Sequence, residues 1–246
     1  MRVKKVLMSK DGEFYSIADD TKDYHMEFGV VKKEDFAKAT TSSNAKKKLL
    51  YVVPADFMDN YKKIKRLAQI MHSKELGIII AETGVGPEST VIEAGSGSGA
   101  SSCFLARYVK HVYSYDIHPE HQAVAKENAM ALELNNITFE LKDITKDAVE
   151  KNADLFLLDF AEPWTALDTA SQSLKIGGYL VTYNTTILQI SQTVNAIEPR
   201  PDFIYLRTIE LIRREWHIEG KSVRPAMQGI GHTGFLSFFR KVQPEQ

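Results

Sequence analysis

From residue 76 onward, short apolar runs alternate with longer segments whose apolar positions recur every three or four residues. The short runs have the length of buried strands, and the longer segments have the period of amphipathic helices. Strands are expected at 91–93, 112–116, 137–141, 155–159 and 178–183, and helices at 76–83, 100–108, 120–134, 165–174 and 186–196. Because strands and helices alternate, the pattern predicts an α/β fold with a doubly wound, mostly parallel sheet.

The alternation stops after Pro201. Two long strand patterns follow, at 202–212 and 235–240, with no helix pattern between them. Such strands are expected to pair antiparallel at one edge of the sheet. The predicted sheet is therefore seven-stranded and ends in a C-terminal antiparallel hairpin.

The beginning of the chain has a different pattern. Short strands are expected at 3–8, 13–17, 26–31 and 48–53, separated by turn-like Asp-Gly and Asp-Asp pairs, and an amphipathic helix is expected at 59–70. We therefore predict two domains, a small N-terminal β domain over residues 1–66 and the α/β domain over residues 67–246.

The run Val91-Ile92-Glu93-Ala94-Gly95-Ser96-Gly97-Ser98-Gly99 carries the most chemical information. It ends a predicted strand, turns through three glycines and enters a predicted helix, which is how an adenosine-containing cofactor is cradled. Glycine permits positive φ and lets a ligand approach the backbone closely. Gly95, Gly97 and Ala100 also fit the dinucleotide pattern G-x-G-x-x-G/A, so the glycines alone do not identify the cofactor.

Two acidic residues follow predicted strands of the same sheet. A carboxylate at Asp116 can accept both ribose hydroxyls of a cofactor, and the alternative is a cap for the helix that begins near Pro119. Asp159 follows four apolar residues, so it is expected at the rim of the core, where a carboxylate is costly without a partner. A helix cap is the alternative there as well.

Composition narrows the class of protein. The chain has 246 residues and is 43% hydrophobic, which is enough for one large core and a small module. Its single cysteine, Cys103, excludes an internal disulfide framework and is typical of a reducing compartment. Because no apolar run reaches the ~20 residues of a membrane span and no signal peptide is visible, we expect a cytoplasmic protein without membrane contact. No cluster of metal-ligating residues is visible, so no metal is expected.

The net charge of −1 is unevenly distributed. Residues 1–66 contain 15 Lys and Arg against 10 Asp and Glu, whereas the remainder contains 16 against 22. Lys46, Lys47 and Lys48 are the most compact basic cluster. Such clusters contact nucleic-acid phosphates, and a solvated surface is the alternative.

Glu93 completes the pattern E-x-G-x-G-x-G, which resembles the first motif of class I S-adenosylmethionine-dependent methyltransferases. Within that superfamily the segment around Asp159 resembles the tRNA (adenine-N1)-methyltransferases of the T loop, whose L-D-x-x-x-P-W arrangement is matched by Leu158, Asp159, Pro163 and Trp164. Further likenesses are Gln69-Ile70 with Lys74-Glu75, where Ser73 replaces a proline, then Arg213-Arg214-Glu215-Trp216 with Arg224-Pro225, and Gly231-His232-Thr233-Gly234-Phe235-Leu236. Together these stretches lie between residues 50 and 241. No Pro-Pro pair follows Asp159, which disfavours methylation of an exocyclic amine.

The resemblance implies methyl transfer from S-adenosylmethionine to N1 of a T-loop adenine in tRNA, at one adenine or at two neighbouring ones. It implies that Asp159 is the catalytic carboxylate. Tyr183 is expected to lie beside the base, and ordinary packing in the core is the alternative. The implied cofactor contacts are Gln69, Glu93, Gly95, Ser96, Gly97, Ser98, Gly99, Asp116, Ile117, Asp143, Ile144 and Asp159, with a turn as the alternative role of Asp143. The implied substrate contacts are His72, Arg214, Arg224 and His232, with a structural role as the alternative for the two histidines, and the basic cluster adds Lys46, Lys47 and Lys48. Since relatives are tetramers, a homotetramer is expected.

Three other functions remain open at this stage. A methyltransferase acting on a protein or a small molecule would have the same glycine loop and the same Asp116. A non-catalytic RNA-binding subunit would have the same fold, although the residues expected to carry the chemistry are intact here. A nicotinamide-dependent dehydrogenase is the most distant, because dinucleotide-binding folds normally continue with a crossover helix where this chain has two strands.

Overall fold

The computed structural model describes residues 2–27, 29–42, 48–147 and 149–243. The chain divides into two compact units, Met1–Ile64 with Ala131–Glu133 and Lys65–Met130 with Leu134–Gln246. The sequence predicts a boundary at residue 66 and assigns RNA contact to the first domain. That assignment stays a prediction.

The first unit is a small antiparallel β structure. Its elements are β1 Lys5–Met8, β2 Phe14–Ile17, β3 Tyr24–Met26, β4 Gly29–Val31, a 3₁₀ turn Lys33–Ala37, β5 Thr40–Ser42, β6 Leu49–Pro54 and α1 Phe57–Tyr61. One sheet has the order β2-β1-β6-β5, and β3 pairs with β4 in a separate hairpin. Leu7, Ile17, Leu50 and Phe36 are buried together and form the core of this unit.

Two elements expected in the first seventy residues are wrong. The single strand predicted at 26–31 is instead a reversal of the chain, because Met26 pairs with Gly29 across an antiparallel hairpin. The helix predicted at 59–70 ends at Tyr61. Beyond it, the N–H groups of Leu67 and Ala68 donate to the Ser98 hydroxyl at 2.8 and 3.2 Å instead of to helix carbonyls.

The second unit is a three-layer α/β structure. Its strands are β7 Thr90–Ala94, β8 His111–Asp116, β9 Ile137–Leu141, β10 Ala153–Leu158, β11 Leu174–Asn184, β12 Phe203–Glu210, β13 Trp216–Glu219, β14 Ser222–Pro225 and β15 Phe235–Lys241. Its helices are α2 Ser73–Thr83, α3 Ala100–Ala106, α4 Pro119–Ala131, a 3₁₀ turn Pro163–Ala166, α5 Leu167–Ser173 and α6 Ile187–Ile197. The main sheet has seven strands in the order β12-β15-β11-β10-β7-β8-β9.

The direction of the strands places the site. β11, β10, β7, β8 and β9 are parallel, whereas β15 is antiparallel to both β11 and β12. The predicted fold class is therefore confirmed, including the antiparallel pair at the sheet edge. β8 lies on one side of β7 and β10 on the other, so the strand order reverses at β7. Open α/β sheets bind ligands beyond the carboxyl ends of strands at such a reversal.

Between β12 and β15 the chain leaves the sheet, and we call residues 211–234 the arm. Within it, β13 and β14 pair antiparallel, and every side chain of both strands is exposed. This hairpin was not expected from the sequence. The arm exposes the apolar side chains Ile212, Trp216, Ile218, Val223, Met227 and Ile230. Across the described ranges, no helix has the length and apolar character required to cross a bilayer.

Candidate active site

A cavity of about 600 Å³ opens at the carboxyl ends of β7, β8 and β10. This volume is in the range of small-molecule sites. Its walls come from four loops and from the chain before α2, and among the lining residues are Gln69, Gly95, Ser96, Gly97, Ser98, Asp116, Ile117, His118, His121, Lys142, Asp143, Ile144 and Asp159. Ten of the residues expected to contact the cofactor therefore line this one cavity, whereas Glu93 and Gly99 do not.

Each of the three glycines in the loop is required for a different physical reason. A Cβ on Gly95 would lie 3.0 Å from the backbone oxygen of Asp159, because β7 and β10 are neighbours there. Gly97 has φ +50°, a conformation that side chains disfavour, with open space around it apart from Ala68 at 3.6 Å. A Cβ on Gly99 would lie 2.8 Å from the Cβ of Ala125, so this glycine allows α3 to pack on α4. This tight contact between α3 and α4 accounts for Gly99, which does not line the cavity, and its contact to a cofactor stays a prediction.

Asp116 holds the glycine loop in place. Its two carboxylate oxygens accept from the backbone N–H groups of Gly97, at 2.8 Å, and His118, at 2.9 Å. The ring of His121 lies 3.3 Å from the same carboxylate. The acid at the end of β8 therefore joins the loop to the residues before α4, and its contact with the loop was not expected from the sequence. His118, His121 and Lys142 also line the cavity and were missed.

Asp159 directly follows β10 and lines the cavity. Its backbone N–H donates to the backbone oxygen of Ala94 at 2.6 Å. Within the described ranges its carboxylate has neither a hydrogen-bonding donor nor a basic ion-pair partner. Burial raises the pKa of this carboxyl to about 7, and the negative charge of Glu93 adds to the effect. Asp159 is thus a cavity-lining carboxyl whose charge changes near neutral pH, and such shifted carboxyls are common in active sites.

Glu93 lies behind the wall and not on it. Its side chain is wholly buried, and its Oε2 lies within hydrogen-bonding distance of the hydroxyls of Ser102 and Ser114, at 2.5 Å each. Burial raises the pKa of Glu93 to about 7, with a further contribution from Asp116. Glu93 does not line the cavity, because its side chain reaches into a cluster of serine hydroxyls, and a direct contact to a cofactor stays a prediction.

The loop after β9 contains Asp143 and Ile144, which both line the cavity. The carboxylate of Asp143 accepts from the N–H and hydroxyl of Thr145 and from Lys146, and these bonds lower its pKa to about 2. The turn expected as the alternative role of Asp143 is therefore present. A contact to a cofactor adenine stays a prediction.

Tyr183 does not line the cavity. Its hydroxyl donates to the backbone oxygen of Thr233 at 2.7 Å, and its ring lies so close to Gly234 that a Cβ there would be 2.5 Å from the ring. Burial raises the pKa of Tyr183 to about 12, with smaller contributions from Glu75 and Asp159. Packing, the alternative left open by the sequence, accounts for these contacts, and a role beside the base stays a prediction.

Residues that neighbour Tyr183 also hold the two ends of the arm together. The ammonium group of Lys74 donates to the backbone oxygen of Leu211 at 2.7 Å and to the hydroxyl of Thr233 at 2.8 Å, and it also contacts Glu75. Leu211 and Thr233 stand at the two ends of the arm. One lysine at the start of α2 therefore ties both ends together.

The residues expected at the substrate are dispersed. His72 precedes α2 and does not line the cavity, and His232 is held between Glu210 at 2.6 Å and the backbone oxygen of Thr185 at 2.9 Å. The hydrogen bond to Glu210 raises the pKa of His232. Arg214 and Arg224 are exposed in the arm. The structure does not bring these residues to the cavity.

The lysine cluster is only partly described. Lys46 and Lys47 lie outside the described residues. Lys48 forms ion pairs with Asp11 at 3.0 Å and Glu13 at 2.7 Å. A phosphate would have to compete with these two carboxylates, so the structure weakens the expectation that Lys48 contacts RNA. In the part of the chain that is described, no group of three or more His, Cys, Asp or Glu is placed to hold a metal ion.

A glycine loop after the first parallel strand, an acid after the second and a sheet closed by an antiparallel strand define a methyltransferase of class I. The crystal structure of an S-adenosylmethionine-dependent O-methyltransferase from Thermotoga maritima is similar, with a TM-score of 0.89 at 25% identity. The similarity covers 99% of this chain and 94% of that one.

Residues 62–224 match the family described as tRNA methyltransferase complex GCD14 subunit, and the chain belongs to that family. It is 30% identical to the tRNA (adenine(57)-N(1)/adenine(58)-N(1))-methyltransferase TrmI of Methanocaldococcus jannaschii, over 98% of this chain and 95% of the relative. It is 36% identical to the tRNA (adenine(58)-N(1))-methyltransferase TrmI of Thermus thermophilus, over 72% of this chain and 71% of the relative. The family expected from the sequence is confirmed.

Proposed function

We propose that the protein transfers a methyl group from S-adenosylmethionine to N1 of an adenine in the T loop of tRNA. The observation that carries this proposal is the Asp159 carboxyl, which lies on the cavity wall beside the glycine loop and has no hydrogen-bond donor or basic partner among the described residues. Membership in the family and the names of the two TrmI relatives support the same reaction.

The cavity suits S-adenosylmethionine, which supplies a methyl group on a positively charged sulfur. Gly95 and Gly97 keep the loop free of side chains, so the methionine part can lie against the backbone. Asp116 retains carboxylate lone pairs for ribose hydroxyls beyond those that fix the loop. Asp159 and Asp116 put negative charge near a cationic ligand, and the glycine cradle leaves the space that the ligand needs.

Adenine N1 carries a free lone pair, so no proton has to leave before attack. The new N1–carbon bond forms as the carbon–sulfur bond breaks, sulfur keeps the bonding electrons, and the purine gains the positive charge. An ionised Asp159 that accepts from the exocyclic amine would align N1 and stabilise this charge. Its pKa of about 7 implies that activity rises with pH through neutrality, because the protonated carboxyl lacks the charge.

A tRNA substrate and self-association complete the proposal. N1 is on the pairing edge of a stacked adenine, so the base has to be extruded into the site, and RNA recognition then rests on shape and phosphates. The arm exposes six large apolar side chains, and exposed apolar patches often mark contacts between proteins. We assign the arm to contact between subunits of a homo-oligomer, with a tetramer expected by resemblance.

The test is mass spectrometry of nucleosides from unmodified tRNA incubated with enzyme and S-adenosylmethionine. The expected product is N1-methyladenosine. Asp159→Asn retains the size of the side chain and removes its charge, so turnover should fall by about 10²–10³-fold while cofactor binding persists. Asp168→Asn, an exposed acid on α5, is the matched control and should leave turnover unchanged.

Two outcomes would contradict the proposal. Near-normal turnover in Asp159→Asn would remove this carboxylate from the mechanism. N6-methyladenosine, formed under conditions too mild for rearrangement, would show that the acceptor atom is the exocyclic amine.

O-methylation is the second candidate, because the similar Thermotoga maritima structure is named an O-methyltransferase. A hydroxyl has to lose its proton during methyl transfer, and a carboxyl with a pKa near 7 could accept it. The same digest distinguishes the two, since a ribose ether and N1-methyladenosine separate by chromatography. Methylation of a protein or a small molecule would leave the tRNA unmodified.

A further inference from the structure

A chain of hydroxyl groups lies beneath the glycine loop, and the proposed chemistry does not use it. Glu93 Oε2 contacts the Ser102 and Ser114 hydroxyls at 2.5 Å each. The Ser114 hydroxyl lies 2.9 Å from that of Ser102 and 2.6 Å from that of Ser96. Ser96 lines the cavity. A continuous hydrogen-bonded path therefore leads from a buried acid to the wall of the cofactor site.

Counting protons indicates the charge of Glu93. Four oxygen–oxygen contacts hold the cluster together, and Ser96, Ser102 and Ser114 contribute one hydroxyl proton each. If Glu93 is ionised, three protons serve four contacts, and one pair of oxygens faces each other without a hydrogen. If Glu93 carries a proton, each contact has its own. The geometry of the cluster thus favours the neutral acid.

The other carboxyl oxygen supports the same conclusion. Oε1 of Glu93 is buried and, within the described residues, no donor reaches it. An ionised carboxylate would place about half of its charge on this oxygen, which is costly away from water. As the carbonyl oxygen of a neutral acid it loses much less by burial.

Among the described residues, no basic side chain forms an ion pair with Glu93. Cys103 faces it from α3, with a thiol whose pKa burial raises to about 12, Asp116 faces it from β8, and Asp159 from β10. The basic side chains that line the cavity are partly committed, since Lys142 pairs with Glu140 and His121 contacts Asp116. Burial raises the pKa of both Glu93 and Asp159 to about 7.

We propose that Glu93 is a positioning residue that is neutral in the cofactor-free protein, and that binding of a sulfonium-bearing cofactor expels a proton from the Glu93–Asp159 pair to solvent. The inference rests on the proposed function only in that the cavity binds S-adenosylmethionine. The positive sulfur favours the ionised carboxyls, and the Ser114–Ser96 hydroxyls reorient as Glu93 loses its proton. S-adenosylhomocysteine has a neutral sulfur, so it expels fewer protons. The site thereby prefers the methylated cofactor increasingly as pH rises through neutrality.

Calorimetric titration in phosphate and in Tris buffer at pH 7 tests this, because the difference in heat counts the protons released. Wild-type protein should release roughly half to one proton with S-adenosylmethionine, and clearly fewer with S-adenosylhomocysteine. Glu93→Gln lacks one of the two titrating carboxyls and also removes the neighbouring charge that helps to raise the pKa of Asp159, so proton release should fall clearly below that of the wild type. Asp168→Asn, on the exposed face of α5, is the control and should behave as wild type.

Infrared difference spectra of the wild-type protein provide a measurement that does not need a folded variant. The carboxylic acid C=O band should disappear when S-adenosylmethionine binds. A band that persists, equal proton release with the two cofactors, or unchanged release in Glu93→Gln would overturn the inference. If S-adenosylmethionine does not bind at all, the proposed function fails instead, so the two failures are distinguishable.

Discussion

Gly99→Ala tests the packing reason assigned to the last glycine of the loop. The new Cβ would lie 2.8 Å from the Cβ of Ala125 and 2.9 Å from its Cα, so α3 has to move away from α4. Gly99 also has φ +76°. The left-handed conformation costs an alanine about 1–2 kcal/mol, and overpacking of a tight contact costs about 1–3 kcal/mol. We expect Gly99→Ala to lose roughly 2–5 kcal/mol of stability.

Gly97→Ala is the matched comparison. It has a positive φ of +50°, but its Cβ would meet only Ala68 at an ordinary 3.6 Å. It should therefore lose only the conformational part, about 1–2 kcal/mol. For a chain of this length each 1 kcal/mol lowers the melting temperature by about 2–4 °C, so the two variants should be separated by several degrees in calorimetric scans of the cofactor-free protein.

A second substitution isolates the contact itself. Ala125→Gly removes the methyl group that the new side chain meets, at its own cost of about 1 kcal/mol in a helix. In the Gly99→Ala background, Ala125→Gly should lower the free energy of unfolding by less than this amount, or raise it. The coupling free energy between the two substitutions should be about 1 kcal/mol. Equal losses for Gly97→Ala and Gly99→Ala, or additive behaviour with Ala125→Gly, would refute the steric explanation.

Three further outcomes are expected. Gly77→Ala, at an exposed helical position where a Cβ meets nothing within 4 Å, should stabilise the protein by about 0.5–1 kcal/mol in thermal scans. Asp116→Asn should weaken binding of S-adenosylmethionine and S-adenosylhomocysteine alike, by about tenfold for each 1.4 kcal/mol lost, and a selective loss for one of them in calorimetry would contradict a shared ribose contact. Glu93→Gln should stabilise the fold at pH 8 by roughly 1–3 kcal/mol and hardly at all at pH 4, because the folded pKa of about 7 lies above the ordinary value of 4.5 and wild type loses stability as pH rises between them. Denaturant midpoints at the two pH values check this.

Sequence patterns located the sheet well because its central strands are buried on both faces. β10 appears as a short apolar run and β8 ends in buried residues, so Asp159, just after β10, and Asp116, the last residue of β8, are expected at the carboxyl edge of the sheet. The segment after α1 could not be found, since its conformation depends on Ser98, thirty residues away, accepting from Leu67 and Ala68. No local period encodes that contact.

The structural surroundings of two predicted site residues were hidden from the sequence for a related reason. Glu93 and Gly99 belong to the glycine motif by spacing, yet their roles depend on what lies behind the loop, namely Ser114 on β8 and Ala125 on α4. His121 was missed because its approach to the cavity depends on how α4 is placed. The arm was missed because its strands are exposed on both faces and so lack the alternation of a half-buried strand.

The residues that flank the arm on either side are already neighbours in the main sheet. Glu210 pairs with Phe235 across β12 and β15, and Lys74 closes the gap just beyond. The entropy of closing a loop grows only slowly with its length, so residues can be gained or lost between these points with little effect on the sheet. The sequence and length of the arm can therefore change while the strands that hold Asp159 and Asp116 stay in register.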